Sequence, residues 1–165
     1  MLIHVSADGW LDAGARRYRC ALGRGGIGAH KQEGDGITPA GRFPLRRLLY
    51  RADRLARPDS KLATSAIQPD DGWCDDPADA AYNQAVRRPY GASAESMWRQ
   101  DGLYDLVVIL GHNDAPVVPG AGSAIFMHVA SPGHGPTEGC VALARDDLLA
   151  LLAVLDSDSE IQISI

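Results

Sequence analysis

Two residues carry the chemistry this sequence most plainly offers. Cys140 ends a run of small, turn-forming residues, SPGHGPTEG (131–139), and an apolar stretch, VAL, follows it directly. His128 stands in SAIFMHVA (123–130), which otherwise reads as a buried strand. A cysteine on a turn, preceded by glycine, has backbone N–H groups around its sulfur, and these can hold the oxyanion formed when a thiolate attacks a carbonyl. The glycine lets a substrate approach with no Cβ in its way. A histidine within reach takes the thiol proton and leaves an ion pair that lowers the cysteine pKa. Cys140 follows His128 by twelve residues, room for the end of one strand, a loop and the return to the next. If those two strands are neighbours, imidazole and thiol meet, and the arrangement suits acyl transfer. Taken singly, each residue has a plainer reading: a core histidine with its hydrogen bonds satisfied, and a Gly-Cys pair arising by chance.

The elements that must position the pair can be read from periodicity. LIHVSA (2–7) alternates and predicts a first strand; RRYRCAL (16–22) predicts a second, ending in the glycine loop GRGGIGAH (23–30). In EGDGITPAGRF (33–43), Gly34, Gly36, Pro39 and Gly41 make successive turns that feed a strand beginning near Arg42. No GK[ST] follows and no helix opens, so this glycine spacing is not a phosphate loop. The middle, residues 52–100, is polar and irregular, with short helical patterns in PADAAYNQAV (77–86) and SAESMWRQ (93–100), the second capped by Ser93. YDLVVILGHN (104–113) and SAIFMHVA predict buried central strands. RDDLLALLAVL (145–155) has helical spacing, with Asp146 and Asp147 where they suit the helix dipole, and EIQISI (160–165) closes the chain as a strand. The expected fold is mainly β, one domain over residues 1–165 with a few short helices.

Composition narrows the function. The 165 residues are enough to bury a core, and 45% hydrophobic with 22% charged residues is ordinary for a folded domain. A formal net charge of −5 argues against nucleic acid as a partner, because phosphate binding needs a basic surface. Apolar runs stop at about eight residues, short of a transmembrane helix. The start, MLIHVSADGWLDAGARR, lacks the basic, apolar and cleavage regions of a signal peptide, so the visible sequence by itself reads as cytosolic. Cys20, Cys74 and Cys140 are far apart with no CxxC pair, which suggests neither a disulfide framework nor a zinc cluster; a Cys20–Cys74 bridge stays open in an oxidising compartment. Cys20 reads as a small core residue, and Cys74 falls in a polar loop.

EGDGITPAGRF, SAIFMHV and PTEGCVAL together, in this order and over nearly the whole chain, resemble the L,D-transpeptidase catalytic domain of the YkuD type. In that family a Gly-Asp-Gly-x-Thr-Pro-x-Gly-x-Phe segment, here Gly34 to Phe43, precedes the core strands. A histidine at a strand end, here His128, and a Ser/Thr-x-Gly-Cys turn, here Thr137 to Cys140, come later. The resemblance implies a mixed β-sandwich or barrel, without a LysM or other cell-wall-binding module. It implies that Cys140, activated by His128, attacks an L-to-D peptide bond in a peptidoglycan stem. The terminal D-amino acid leaves, and a thioester forms. An amine on a neighbouring stem, usually that of diaminopimelate, then resolves the thioester into a cross-link. Gly139 and Cys140 N–H groups would form the oxyanion hole. No metal or organic cofactor is implied, family members are typically acylated by carbapenems, and the expected partners are a tetrapeptide donor and a diaminopimelate-containing acceptor, handled by a monomer.

The chain departs from the pattern in places. Glu138 stands where the family usually has a second histidine, Ala142 where it usually has Arg or Asn, and the His128-to-Cys140 stretch is short. These changes suggest a branch with another linkage, such as L-alanine to diaminopimelate. Alternatives are an L,D-carboxypeptidase or amidase on the same stems, or a non-catalytic peptidoglycan-binding module. The substrate implies the cell envelope or periplasm, against the missing export signal. Further candidates for substrate contact are His112 at the end of a central strand, Arg88 for a carboxylate, Trp73, Thr137 and Glu138, with His134 a loop contact. Trp73, Tyr82, Arg88, Tyr90 and Trp98 crowd the irregular middle, which the reading makes a lid over the cleft.

Overall fold

Alternation along the strands decides which side chains meet in which core. The computed structural model describes residues 1–165. In chain order the strands are β1 (Leu2–Ser6), β2 (Trp10–Ala13), β3 (Arg16–Ala21), β4 (Ile27–Gly28), β5 (Thr38–Pro39), β6 (Gly41–Tyr50), β7 (Thr64–Ala66), β8 (Asp71–Cys74), β9 (Ala85–Arg87), β10 (Ala94–Ser96), β11 (Leu106–Leu110), β12 (Phe126–Val129) and β13 (Val141–Leu143). The helix α1 (Arg145–Leu152) and the strand β14 (Glu160–Ile163) follow. The large sheet runs β11-β12-β13-β3-β2-β1-β14-β6-β7, and β11 also pairs with β6, so the sheet closes on itself and leaves β7 outside the ring. Closure removes the free edges of the ring. The fold is mainly β, as the alternating segments predict.

β6 makes the closure, because its ten residues are long enough to serve two neighbours. Its first part, from Gly41 to Pro44, pairs with β14, and Leu45 to Tyr50 pair with β11. β11, LVVIL, is buried throughout, which explains its unbroken apolar run. Leu106, Val108 and Leu110 point into the barrel, where they join Ile3, Leu48, Met127, Val141 and the Leu148, Leu151 and Leu152 face of α1. Val107 and Ile109 point outward into a second, smaller core with Ile67, Met97, Tyr104, Phe126 and Cys140. The same alternation on β12 sends Met127 inward and Phe126 outward, with His128 on the Phe126 side. His128 thus faces the layer that holds Cys140. No helix is long and apolar enough to cross a membrane.

The middle of the chain differs from the expectation. Neither 77–86 nor 93–100 is helical; the region folds as a second sheet, β10-β8-β9, laid over the outer face of β11 and β12. Local hydrogen bonds explain the difference. Asp76 and Asp79 carboxylates accept from the N–H groups of Ala78 and Ala81, a turn chemistry that competes with helix. Asn83 sits at φ 56°, outside the helical region. Ser93 caps no helix; Ala94–Ser96 instead pair with Gly72–Cys74. β2 was not expected either. It pairs with both β1 and β3 and turns the N-terminus into a meander. Cys74 lies fully buried in β8 rather than in a polar loop, Cys20 is buried in β3, and all three thiols are free, so Cys20 and Cys74 do not pair.

Candidate active site

The turn carrying Cys140 is built on three glycine backbones. Just after β3, Gly23 bridges to Thr137, with Thr137 N–H donating to Leu22 O at 2.9 Å and Arg24 N–H donating to Thr137 O at 2.8 Å. A Cβ at Gly23 would lie 2.1 Å from the Gly36 carbonyl oxygen and 3.0 Å from Gly139 Cα. Gly139 itself is at φ +137°, and a Cβ there would meet Ile37 O at 2.8 Å. The Gly-Asp-Gly-x-Thr-Pro segment is therefore the floor under the cysteine turn, packed too closely for any side chain. Thr38, fully buried, accepts the Gly23 N–H at 2.8 Å, and Asp35 accepts the N–H groups of Gln32 and Ile37 while pairing with Lys31. Burial opposes ionisation of Asp35, yet these hydrogen bonds outweigh it and hold its carboxyl below the usual range.

Thr137 ties the turn together. Its hydroxyl accepts the Gly139 N–H at 3.1 Å and donates to Cys140 O at 2.6 Å. This corrects the expected oxyanion hole: the Gly139 N–H is engaged inside the turn, whereas the Cys140 N–H makes no hydrogen bond within the chain.

Burial works against charge on both the thiol and the imidazole. The Phe126 N–H points at Cys140 Sγ at 3.4 Å, and the thiol donates to Ala124 O at 3.3 Å. Burial pushes the thiol up to about 12, with the Phe126 N–H pulling the other way. Burial thus opposes the low-pKa ion pair with His128 that the residue types suggest. His128 is buried, and burial lowers its imidazole below the ordinary value. Its Nδ1 lies 2.9 Å from Val129 O. A carbonyl only accepts, so Nδ1 carries the proton and Nε2 is left as the base. β12 and β13 run parallel with His128 opposite Ala142, two residues beyond Cys140. Ala142 is small and buried, and the imidazole ring meets the Tyr104 ring edge-on at 5.3 Å.

Two cavities meet at Cys140. One, of about 210 Å³, is lined by His128, Arg99, Leu103 and Ser131. The other, of about 260 Å³, is lined by Lys31, Glu33, Asp75 and Ser123. Both are lined as well by Glu95, Tyr104, Glu138 and Cys140. Glu138, in the usual histidine position, is exposed and pairs with Arg24 at 3.0 Å, so its charge is countered away from the sulfur. Glu95 accepts from the Tyr104 hydroxyl at 3.1 Å, and burial raises its carboxyl to about 7.

Cys140, His128, Thr137 and Glu138 are thus brought together; other candidates are not. His112 lines a separate cavity of about 200 Å³ with Trp73, packs edge-on against Phe43, and is bound through Nε2 to Ala121 O at 3.0 Å. Burial lowers its imidazole as well. Trp73 packs against Phe126 behind the thiol layer, its centroid 5.1 Å away, and its indole N–H goes to Asn83. Arg88 is exposed, lies against Gly72 and lines neither cavity at Cys140. His134 lines neither. Tyr82 is buried and bound to Glu33, Trp98 lies under the Arg51 guanidinium at 3.5 Å, and Tyr90 is at the surface. From the middle region it is Asp75, Glu95 and Arg99 that reach the site, joined by Tyr104 and, from the glycine loop side, by Lys31 and Glu33. Sequence reasoning missed these six, and no spacing rule links them to Cys140. No cluster of three or more His, Cys, Asp or Glu side chains is arranged to hold a metal ion.

A family model described as the YkuD L,D-transpeptidase catalytic domain matches residues 3–163. No curated protein matches the chain. Among solved structures, an L,D-transpeptidase from Mycobacterium smegmatis is similar at a TM-score of 0.46 and 12% identity, over 99% of this chain. The chain spans 58% of that protein's length.

Proposed function

Because the chain belongs to the YkuD family of L,D-transpeptidase catalytic domains, we propose that it is a cysteine acyltransferase acting on peptidoglycan stem peptides. The observation that supports this reading most directly is that His128, on β12, and Cys140, on the turn that enters the adjacent parallel strand β13, line the same cavity. As a stem carbonyl settles against Sγ, His128 Nε2 takes the thiol proton while the sulfur attacks. The Cys140 N–H, free of other partners, stabilises the oxyanion, a role typically worth about 10²–10³ in rate per donor. His128 then protonates the departing amine, and a thioester remains on Cys140. A general base so placed contributes about 10²–10⁴.

The proposed donor is a tetrapeptide stem, and the proposed acceptor amine belongs to diaminopimelate on a second stem. The unusual Glu138 and Ala142 beside the nucleophile motivate a linkage other than diaminopimelate to diaminopimelate, for example L-alanine to diaminopimelate. Such a substrate places the work at the cell envelope.

Mass spectrometry of purified stem peptides after incubation, beside Cys140→Ala, tests the reading. Dimers made by the wild type alone are expected, and fragmentation identifies the linked residues. Shortened monomers without dimers would make the protein a hydrolase. No change with either protein would overturn acyl transfer on these stems, and purely diaminopimelate-to-diaminopimelate dimers would overturn the proposed linkage.

A further inference from the structure

Four carboxylates line the cavities at Cys140, and three are accounted for or peripheral to one side. Glu138 is paired with Arg24; Glu33 accepts from Tyr82 and, at 2.9 Å, from Ser123; Asp75 faces only the second cavity. Glu95 differs from all of them. It alone of the four both lines the two cavities and is bound to no cation; Asp75, also without a cation and with one buried oxygen unpartnered, reaches only the second cavity. Glu95 is held at one oxygen by the Tyr104 hydroxyl while its Oε2 makes no hydrogen bond. It is set in β10 opposite Trp73, in the small sheet that covers the site. Arg99, which also lines the first cavity, is occupied by Asp101 at 3.1 Å.

Resting on the acyl-transfer reading, we infer that Glu95 is the catalytic base for the second half-reaction, taking a proton from the acceptor ammonium as it attacks the thioester. The proton count requires such a group. An acceptor amine enters as R–NH₃⁺, because amines of this kind ionise near 10, and leaves as an amide with one N–H. Two protons must go. One passes through His128 Nε2 to the thiolate expelled when the C–S bond breaks, which restores the Cys140 thiol. The other is lost before attack, freeing the nitrogen lone pair that forms the C–N bond, and Glu95 receives it. Water attacking the same thioester sheds one proton and needs only His128. Glu95 therefore sets the choice between amine and water.

The charges on the two sides agree with this. Asp75 and Glu33 add negative charge to the second cavity, and its lysine, Lys31, is already paired with Asp35. An ammonium is best received there, with the donor stem on the Arg99 and His128 side. Burial first, and then the charges of Asp75 and Glu33, keep the Glu95 carboxyl near 7 against the pull of Tyr104 and Arg99, so at neutral pH it both accepts and releases a proton.

The test uses tetrapeptide stems as donor, diaminopimelate-containing stems as acceptor, and mass spectrometry to follow the thioester, the dimers and the water-cleaved monomers. The ratio of dimer to cleaved monomer is the readout, because both arise from one thioester and the ratio is independent of how fast that forms. In Glu95→Gln the ratio is expected to fall about a hundredfold, with partial recovery in Glu95→Asp. In the wild type the ratio should rise with pH and level off above about 7. An unchanged ratio in Glu95→Gln, or a wild-type ratio that keeps climbing toward the amine's own ionisation near 10, overturns the role of Glu95. Should Glu95→Gln fail to fold, the wild-type pH profile decides. Absence of any thioester on wild-type Cys140 would instead refute the acyl-transfer reading itself, and the inference with it.

Discussion

Gly23 lies far from Cys140 in sequence, yet the structure makes it the keystone of the cysteine turn, and Gly23→Ala puts that claim at risk. The added methyl would lie 2.1 Å from Gly36 O, well inside the 3.0 Å that real Cβ atoms respect, and 3.0 Å from Gly139 Cα. Both neighbours are backbone, so neither can swing aside as a side-chain tip would. Relief needs a shift of about 1 Å in the Gly36 segment, the Gly139 turn, or both. Overpacking of this kind costs about 1–3 kcal/mol, which for a chain of this length lowers the melting midpoint by about 2–12 °C. Moving the turn misplaces Sγ and the Cys140 N–H together, and a 1 Å error in such a site costs about a hundredfold in rate. Thermal melting and the rate of Cys140 acylation by a carbapenem, followed by intact mass, measure the two effects. Gly91→Ala is the control, since a methyl there meets nothing within 4 Å. Acylation of Gly23→Ala at the wild-type rate would refute the reasoning, whatever its melting midpoint.

Thr137→Val keeps the shape of the side chain but removes the hydroxyl that joins Gly139 N–H to Cys140 O. Loss of about 1–1.5 kcal/mol of turn stabilisation should slow acylation about tenfold, with Thr137→Ser near wild type; equal rates in both variants would count against the bridge. Stability should also fall in mild acid. Burial holds His128 below its ordinary value, so the unfolded chain binds the proton first: the stabilisation is full above about 6.5 and is lost as pH drops through the folded-state value. Melting midpoints from pH 8 to 5 should therefore decline below about 6.5, and less so in His128→Gln; parallel declines would assign the effect elsewhere, with His112, lowered by the same cause, as the next candidate.

What could be read from the chain beforehand was whatever periodicity or local motif encodes. β11, β12, α1 and β14 announce themselves because one face, or both, must be apolar over several residues. The proposed nucleophile and base stood out because a Thr-x-Gly-Cys turn and an intruding histidine break such patterns. The small sheet was not, because three-residue strands such as AES and AVR carry too little alternation to outweigh the helical look of their surroundings. The hydrogen bonds that settle the matter come from Asp76 and Asp79, whose carboxylates read equally well as helix surface. Glu95, Tyr104 and Lys31 line the cavity at Cys140 from β10 and two separate loops, a relation that only the tertiary fold creates. The engagement of the Gly139 N–H was hidden for another reason: it depends on which way one hydroxyl turns.

On the proposed acyl-transfer reading, the surroundings of Cys140 say how the site is switched on. Nucleophilic cysteines commonly rest as thiolates beside a cation, and an accessible thiolate reacts with any oxidant or electrophile that reaches it. Here the thiol is buried, bound to Ala124 O and pushed up to about 12 by that burial, so the thiolate is disfavoured at neutral pH. The neighbouring Glu95 charge pushes the same way, while Lys31 and the Phe126 N–H push back. In the proposed reaction, proton transfer to His128 becomes favourable once a carbonyl is in place to accept the sulfur's electrons and the Cys140 N–H is in place to donate to the oxyanion. Activation is thereby coupled to the bound substrate rather than stored in the free protein, and a thiol-directed alkylating reagent should modify Cys140 far more slowly than its position in a cavity would suggest.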